Sequence, residues 1–335
     1  MKDGLRVGLL YGGEGNEAAV SEKSAAEVLQ ELNQSQFRVF PIEISKTGWL
    51  YRPSEGGAAG QVDLRDLSIV VGGARHKLDV CFIALHGAPG ENGQIQGFLD
   101  LLNMPYTSVF SVESAVTFNK RYTIATAHYY GLHVAKHVFF HRGEIGDFTP
   151  LSDALRLPVF VKPCEGGSSI GVSLLSEWDG VAAAVSLAFE QDDEVMIEEK
   201  IPGRVFTIGV FRLNGKVVIA PPLLCHLEAG SKEFFDYETK TTSNGYSSLV
   251  PGTLPTSELM LLEDFATRVF RIFGNRGVMR IDAVLCESDG LPYLLEVNTI
   301  PGMTRTSALP VMVEAAGWTR REFYEALILE AVNQG

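Results

Sequence analysis

The chain has 335 residues, with 28 Lys and Arg against 41 Asp and Glu for a formal charge of −13, and 46% of it is hydrophobic against 21% charged. Those proportions exclude a disordered or collagen-like chain and predict a folded protein of two or three domains. The acid excess argues against nucleic acid and anionic membrane as main partners, since both would be repelled, but leaves room for a nucleotide in a local basic pocket. No apolar run approaches the roughly 18 residues that span a bilayer. The apolar run at residues 7–11 ends in Gly-Gly without a signal-peptide cleavage site, so cytoplasmic residence is expected. Cys81, Cys164, Cys225 and Cys286 form no CxxC pair, which predicts reduced, mostly buried thiols and no zinc site.

In chain order, a strand at residues 6–11, a Gly-rich turn and a helix at 17–32 open the chain as a β-loop-α unit. Apolar runs at 37–44 and 80–85 read as buried parallel strands, and a helix at 94–102 follows the second, so the first part of the chain reads as an α/β domain. A helical segment at 120–130, strands at 158–162 and 194–199, and the glycine-rich stretch 165–171 form a second, α+β unit. From residue 205 to 219 the pattern becomes two β runs joined at Asn214-Gly215, a pair that tolerates positive φ and signals a hairpin. After a polar loop over 229–255, a helix at 257–273 precedes a second hairpin at 278–297, and helices close the chain.

That second hairpin carries the most informative chemistry. With a three-residue loop centred on Asp289, Asp282 faces Glu296 and Arg280 faces Asn298, so period-two alternation puts all four on one face. Ile281, Ala283, Leu295 and Val297 then point into a core. Two carboxylates and an amide oxygen are hard ligands suited to Mg²⁺, and the adjacent guanidinium suits a phosphate or a developing oxyanion. A solvated strand face with an ion pair is the alternative, and a one-residue slip would split the set.

The stretch from Lys162 to Gly171, KPCEGGSSIG, is a strand end followed by small residues whose backbone N–H groups can approach phosphate oxygens, or else an ordinary β turn. GxxxxGK[ST] is absent, which excludes a P-loop NTPase. Gly13-Glu14-Gly15-Asn16-Glu17-Ala18 fits the loose GxGxxA of a dinucleotide site, but the acid ending the second strand, Glu43, lies beyond the usual spacing of about 20 residues. Glu17 on its own reads as a helix cap. His86 ends a buried strand at a loop of small residues, where ligands gather in open α/β sheets, or is a structural histidine bonded to loop backbone.

In this order, GGxxxExxxS at 12–21, FIALHGxxGExGxxQG at 82–97, MPYTS at 104–108, VKPxxxGSSxG at 161–171, RIDxxL at 280–285 and LLExNTxPGMTxxS at 294–307 make a chain that resembles the D-alanyl-D-alanine ligases of the ATP-grasp superfamily. The resemblance covers residues 12–310. It implies the ATP-grasp fold, mixed α/β and α+β: an N-terminal open parallel-sheet domain over 1–118, a central lid domain over 119–203 and a C-terminal Mg-binding catalytic domain over 204–335. The implied activity is ATP-dependent ligation of two D-amino acids, D-alanine twice in the first instance, through an acyl phosphate for peptidoglycan precursors. ATP and two Mg²⁺, with Mn²⁺ as the alternative ion, are the implied cofactors, with small-molecule substrates and no nucleic acid or membrane partner. A homodimer is compatible with it. A ligase for another D-amino or hydroxy acid pair and a non-catalytic ATP-binding homologue are the alternatives.

By resemblance, Glu17 holds the ammonium of the first amino acid and His86 lies near its carboxylate. Lys120, Lys162 and Lys240 contact ATP phosphates, and Glu198 binds the adenine end. Asp282, Glu296 and Asn298 match the metal site, while Arg280 and the Gly302 N–H match the oxyanion donors. Ser168 orients the amino acids from the lid, and Ser307 holds the carboxylate of the second. Four departures stand out: Val205 where the family has a ribose-binding Glu, Thr241 where it commonly has a Tyr over the second substrate, Asn119 in place of Asp, and Cys164-Glu165-Gly166 in place of Ser-Arg-Glu.

Overall fold

The computed structural model describes residues 4–13, 17–53, 56–144, 148–167, 170–225 and 254–334; Ser168, Lys240, Thr241 and most of the expected polar loop lie outside them. The chain opens with β1 (Arg6–Gly12), α1 (Ala18–Leu32) and β2 (Arg38–Ser45). β1 pairs in parallel with β2, as the β-loop-α start requires. α1 turns Ala25, Val28 and Leu32 inward together with two hydroxyls, Ser21 and Ser24. Ser21 is at home in that stripe because both its hydrogen-bonding capacities are used. Its Oγ donates to the Ala84 carbonyl at 2.6 Å and accepts the Gly12 N–H at 3.0 Å, joining the carboxyl ends of two neighbouring strands.

Residues 46–79 lie between the strands expected at 37–44 and 80–85. There β3 (Gly48–Tyr51), β4 (Gly60–Asp63), β5 (Ser68–Val71) and β6 (Ala74–Lys77) form an antiparallel meander, after which β7 (Val80–Ile83) returns to pair in parallel with β1. The first sheet has the order β6-β5-β4-β3-β2-β1-β7 and is mixed, with its parallel part confined to the three strands nearest the site.

α2 (Gln94–Leu101), α3 (Ser111–Phe118) and α4 (Lys120–Tyr129) lead to β8 (His133–Val134) and β9 (His137–His141). The second sheet is antiparallel, with β10 (Val159–Pro163), β11 (Ser173–Leu175) and β12 (Glu194–Glu199) in the order β11-β10-β12-β9. It has its own core, in which Val159, Val161 and Ile197 meet Val185 and Ala188 of the Val181–Phe189 helix.

The third sheet runs β14 (Lys216–Ile219), β13 (Gly203–Leu213), β16 (Val278–Cys286), β17 (Pro292–Asn298), β8, with β15 (Leu223–Cys225) also on β13. Asn214 and Gly215, at φ +50° and +73°, make the expected tight turn between β13 and β14. The Thr256–Ile272 helix covers this sheet with Leu262, Phe265, Val269 and Phe270.

In the β16/β17 hairpin, Arg280 faces Asn298 and Asp282 faces Glu296 as the alternation predicts, but the register then shifts so that Ala283 faces Leu294. Leu294 is the core residue, at 2% exposure, and Leu295 is not. One extra residue in β17 makes a bulge, and the slip falls on the turn side of the four polar positions. The Ala308–Ala315 and Arg320–Gln334 helices bring Leu309, Phe323, Tyr324 and Ile328 back against Val7, Leu9 and Phe82, so the first and third sheets share one core. All four cysteines are free thiols, three of them buried and Cys225 half-buried. Among the described residues no helix is long and apolar enough to cross a membrane.

Candidate active site

The carboxyl ends of β1 and β7, the end of β17 and the glycine-rich loop after β10 border one cavity of about 290 Å³. Its wall includes Glu17, His86, Lys120 and Arg280 of the residues singled out from sequence. Glu296, Asn298, Gly302 and Ser307 complete that group. Asp282, Lys162 and Glu198 are not among its wall residues, and Val205 sits on β13 opposite Val284.

Glu17 begins α1 with its carbonyl, which accepts N–H bonds from Val20 and Ser21 at 3.0 and 2.9 Å. Its side chain makes no cap hydrogen bond, so the capping role expected of the carboxylate is not the one it plays. Instead the carboxylate lies between two glycines. A Cβ on Gly87 would come within 2.6 Å of Oε2, and one on Gly167 within 2.6 Å of Oε1. The loop after β7 and the loop after β10 can approach this acid only because neither carries a side chain there.

Glu91 was not singled out from the sequence, although it lines the same cavity. Its Oε2 accepts the Gly87 N–H at 2.9 Å. Burial of the carboxyl, then the negative charge of Glu17, hold its pKa well above the usual carboxylate range. The available signal was an acid five positions after His86 inside a run of small residues. His86 is buried, with Nε2 2.9 Å from the Ser24 Oγ, and burial pushes its pKa down to about 4, so the ring is neutral.

Arg280 donates to Asp282 Oδ1 and Oδ2 at 3.2 and 2.9 Å and to Glu296 Oε1 at 3.3 Å, and Thr207 also donates to Asp282. The Asn298 Oδ1 accepts the Ile300 N–H at 2.9 Å, which fixes the amide and leaves a second lone pair available. On β10 and β12 Lys162 and Glu198 form an ion pair at 2.6 Å with side chains only 12% and 6% exposed. Lys120 donates from Nζ to the Gly166 carbonyl at 3.0 Å, at the root of the glycine-rich loop. Ser307 precedes the Ala308–Ala315 helix and bonds Thr304 rather than capping that helix. Glu43, the acid a dinucleotide site would use, is paired with Arg52 at 2.5 Å.

The fold is the ATP-grasp fold. D-alanyl-alanine synthetase A from Vibrio cholerae superposes with a TM-score of 0.84 at 28% identity, covering 99% of this chain and 100% of that one. The VanG D-Ala:D-Ser ligase from Enterococcus faecalis does so with a TM-score of 0.84 at 27% identity, covering 98% and 99%. The family descriptions "D-ala D-ala ligase N-terminus" and "D-ala D-ala ligase C-terminus" match residues 6–109 and 123–329, and the chain belongs to the D-ala D-ala ligase family. A D-alanine–D-alanine ligase from Porphyromonas gingivalis is 35% identical over 329 residues, 98% of each chain.

Proposed function

We propose that this chain is a cytoplasmic, ATP-dependent carboxylate–amine ligase that joins two D-amino acids, D-alanine to D-alanine in the first instance, for peptidoglycan precursors. The observation that carries the reading is a single cavity with Glu17 clamped on one wall and the Arg280–Glu296–Asn298 face with Gly302 on the other. An acid with no capping duty suits an ammonium. The opposite face suits phosphate and developing negative charge.

The donor set fits Mg²⁺ or Mn²⁺. Asp282 and Glu296 already bracket a positive group, the Arg280 guanidinium, and both carboxylates and the Asn298 oxygen are hard ligands. Asp282, Glu296 and Asn298 would hold the two ions, which when bound supply neutralisation of charge on the ATP phosphates. Lys120, Lys162 and Lys240 contact those phosphates. Lys162 and Glu198 are bonded to each other at 2.6 Å, so the phosphate contact of the one and the adenine-end contact of the other lie side by side.

Glu17 orients the first amino acid through its ammonium, so that a carboxylate oxygen attacks the γ-phosphorus and ADP leaves. The product is an acyl phosphate. The free amine of the second amino acid, held by its carboxylate at Ser307, attacks the acyl carbon, and Arg280 with the Gly302 N–H receives the oxyanion until the acyl C–O bond breaks and phosphate departs with the amine proton. The central unit, residues 119–203, acts as a lid between units 1–118 and 204–335, and Ser168 orients the amino acids from it. Lid closure keeps water from the acyl phosphate. Its separate core supports that division, although α4 and β8 pack on the third sheet. The enzyme works on small molecules, as a monomer or a homodimer.

Thr241 in place of the family's tyrosine supports a wider acceptor site, which allows a second D-amino or hydroxy acid other than D-alanine. ADP release measured against a panel of D-amino and D-hydroxy acids, with product masses, tests both points. D-Ala-D-Ala should form, with some turnover for acceptors larger than D-alanine. Absence of any dipeptide or depsipeptide would leave a non-catalytic ATP-binding homologue.

A further inference from the structure

An N–H serves as an oxyanion donor only if its peptide plane is held still and its hydrogen is not already spent. The irregular segment after β17 meets both conditions around Gly302. Upstream, the Ile300 N–H is bound by Asn298, and the His86 ring faces the Ile300 backbone. Downstream, the Met303 N–H donates to the Ser24 Oγ at 3.3 Å, and the Met303 carbonyl accepts the Tyr324 hydroxyl at 3.0 Å. The Thr304 N–H donates to the Ser307 Oγ at 3.2 Å. Between these anchors, the Pro301 carbonyl and the Gly302 N–H have no hydrogen-bond partner among the described residues.

We infer that Ser24, His86 and Tyr324 are positioning residues for the Gly302 N–H, an inference that rests on the ligase reading. The bonds converge on one side chain: Ser24 Oγ lies 2.9 Å from His86 Nε2 and accepts the Met303 N–H. Ser24 and Tyr324 are both 0% exposed. The Tyr324 ring meets Phe82 edge-on, with centroids 5.8 Å apart, so the place of its hydroxyl is set by the core shared by the first and third sheets. A helix from each end of the chain thus fixes the loop that lies between them.

Tyr324→Phe keeps the ring and removes one donor; Ser24→Ala removes the bonds to Met303 and to the His86 ring. The Gly302 N–H acts after phosphorylation, so in both variants the condensation step should slow while the acyl phosphate still forms and is lost to water. We expect dipeptide kcat to fall about tenfold in each, with ATP KM within about twofold of wild type and more than one ADP released per dipeptide. The double variant should fall by less than the product of the two, since both bonds hold Met303. Hydrogen exchange over residues 299–304, readable whether or not the wild type makes dipeptide, should rise in both. Wild-type exchange in that segment, or an unchanged ADP-to-dipeptide ratio beside an active wild type, overturns the inference. Failure of the wild type to form any product while exchange rises overturns only the ligase reading.

Discussion

Glu91 is the residue whose chemistry is most at odds with its surroundings. Glu91 is half-buried at the cavity wall, where desolvation and the field of Glu17 raise the carboxyl's pKa, and Arg280 and the Gly87 N–H offset only part of that. A carboxyl whose pKa is raised by folding destabilises the fold when ionised. The cost is absent below the unfolded value of 4.5 and grows as pH rises to the folded one. Glu91→Gln keeps an oxygen for the Gly87 N–H and removes the charge. Without Mg²⁺, its melting temperature should match wild type near pH 4 and exceed it by about 2 °C or more at pH 8. Equal melting temperatures at both pH values, or a less stable variant at pH 8, would contradict the assignment.

At the scale of elements, two of the departures from the family pattern prove to touch. Asn119 caps α4, with Oδ1 accepting from the Arg121 and Tyr122 N–H groups at 3.0 and 3.4 Å, and its Nδ2 donates to Glu165 Oε1 at 3.3 Å. Lys120 adds a backbone bond to the Cys164 carbonyl at 2.8 Å. The start of α4 therefore holds the root of the glycine-rich loop. Aspartate at 119 would cap the helix equally well but would set two carboxylates against each other. Asn119→Asp should raise the KM for ATP about threefold to tenfold, roughly 1 kcal/mol, and Glu165→Arg in that background should restore it. A double variant no better than the single would show the contact to be incidental. The hairpins were legible at this scale because alternation and Asn-Gly report local geometry. The meander was not: its strands are four residues each, and Arg65 and Arg75 pair with Asp63 and Asp66 on an exposed face. The bulge at Leu295 was equally hidden, since Leu294 and Leu295 are the same residue to a hydrophobicity pattern.

Over the whole molecule, the sheets make the site by where their ends meet. The polar face of β16 and β17 could be read directly, because its four residues lie on two strands joined by one short turn. The contacts of His86 could not, since Ser24 and Ile300 lie 62 and 214 positions away and only the shared core brings them together. The same limit hid the touching of Asn119 and Glu165, which are 46 residues apart. The central claim is a carboxylate activated by phosphate and then captured by an amine, and the fate of one oxygen atom tests it most directly. With D-alanine carrying ¹⁸O in its carboxylate, ATP and Mg²⁺, one labelled oxygen per dipeptide should appear in the inorganic phosphate released. Dipeptide formed with unlabelled phosphate, or ADP released with all the label still in D-alanine and no dipeptide made, would contradict it.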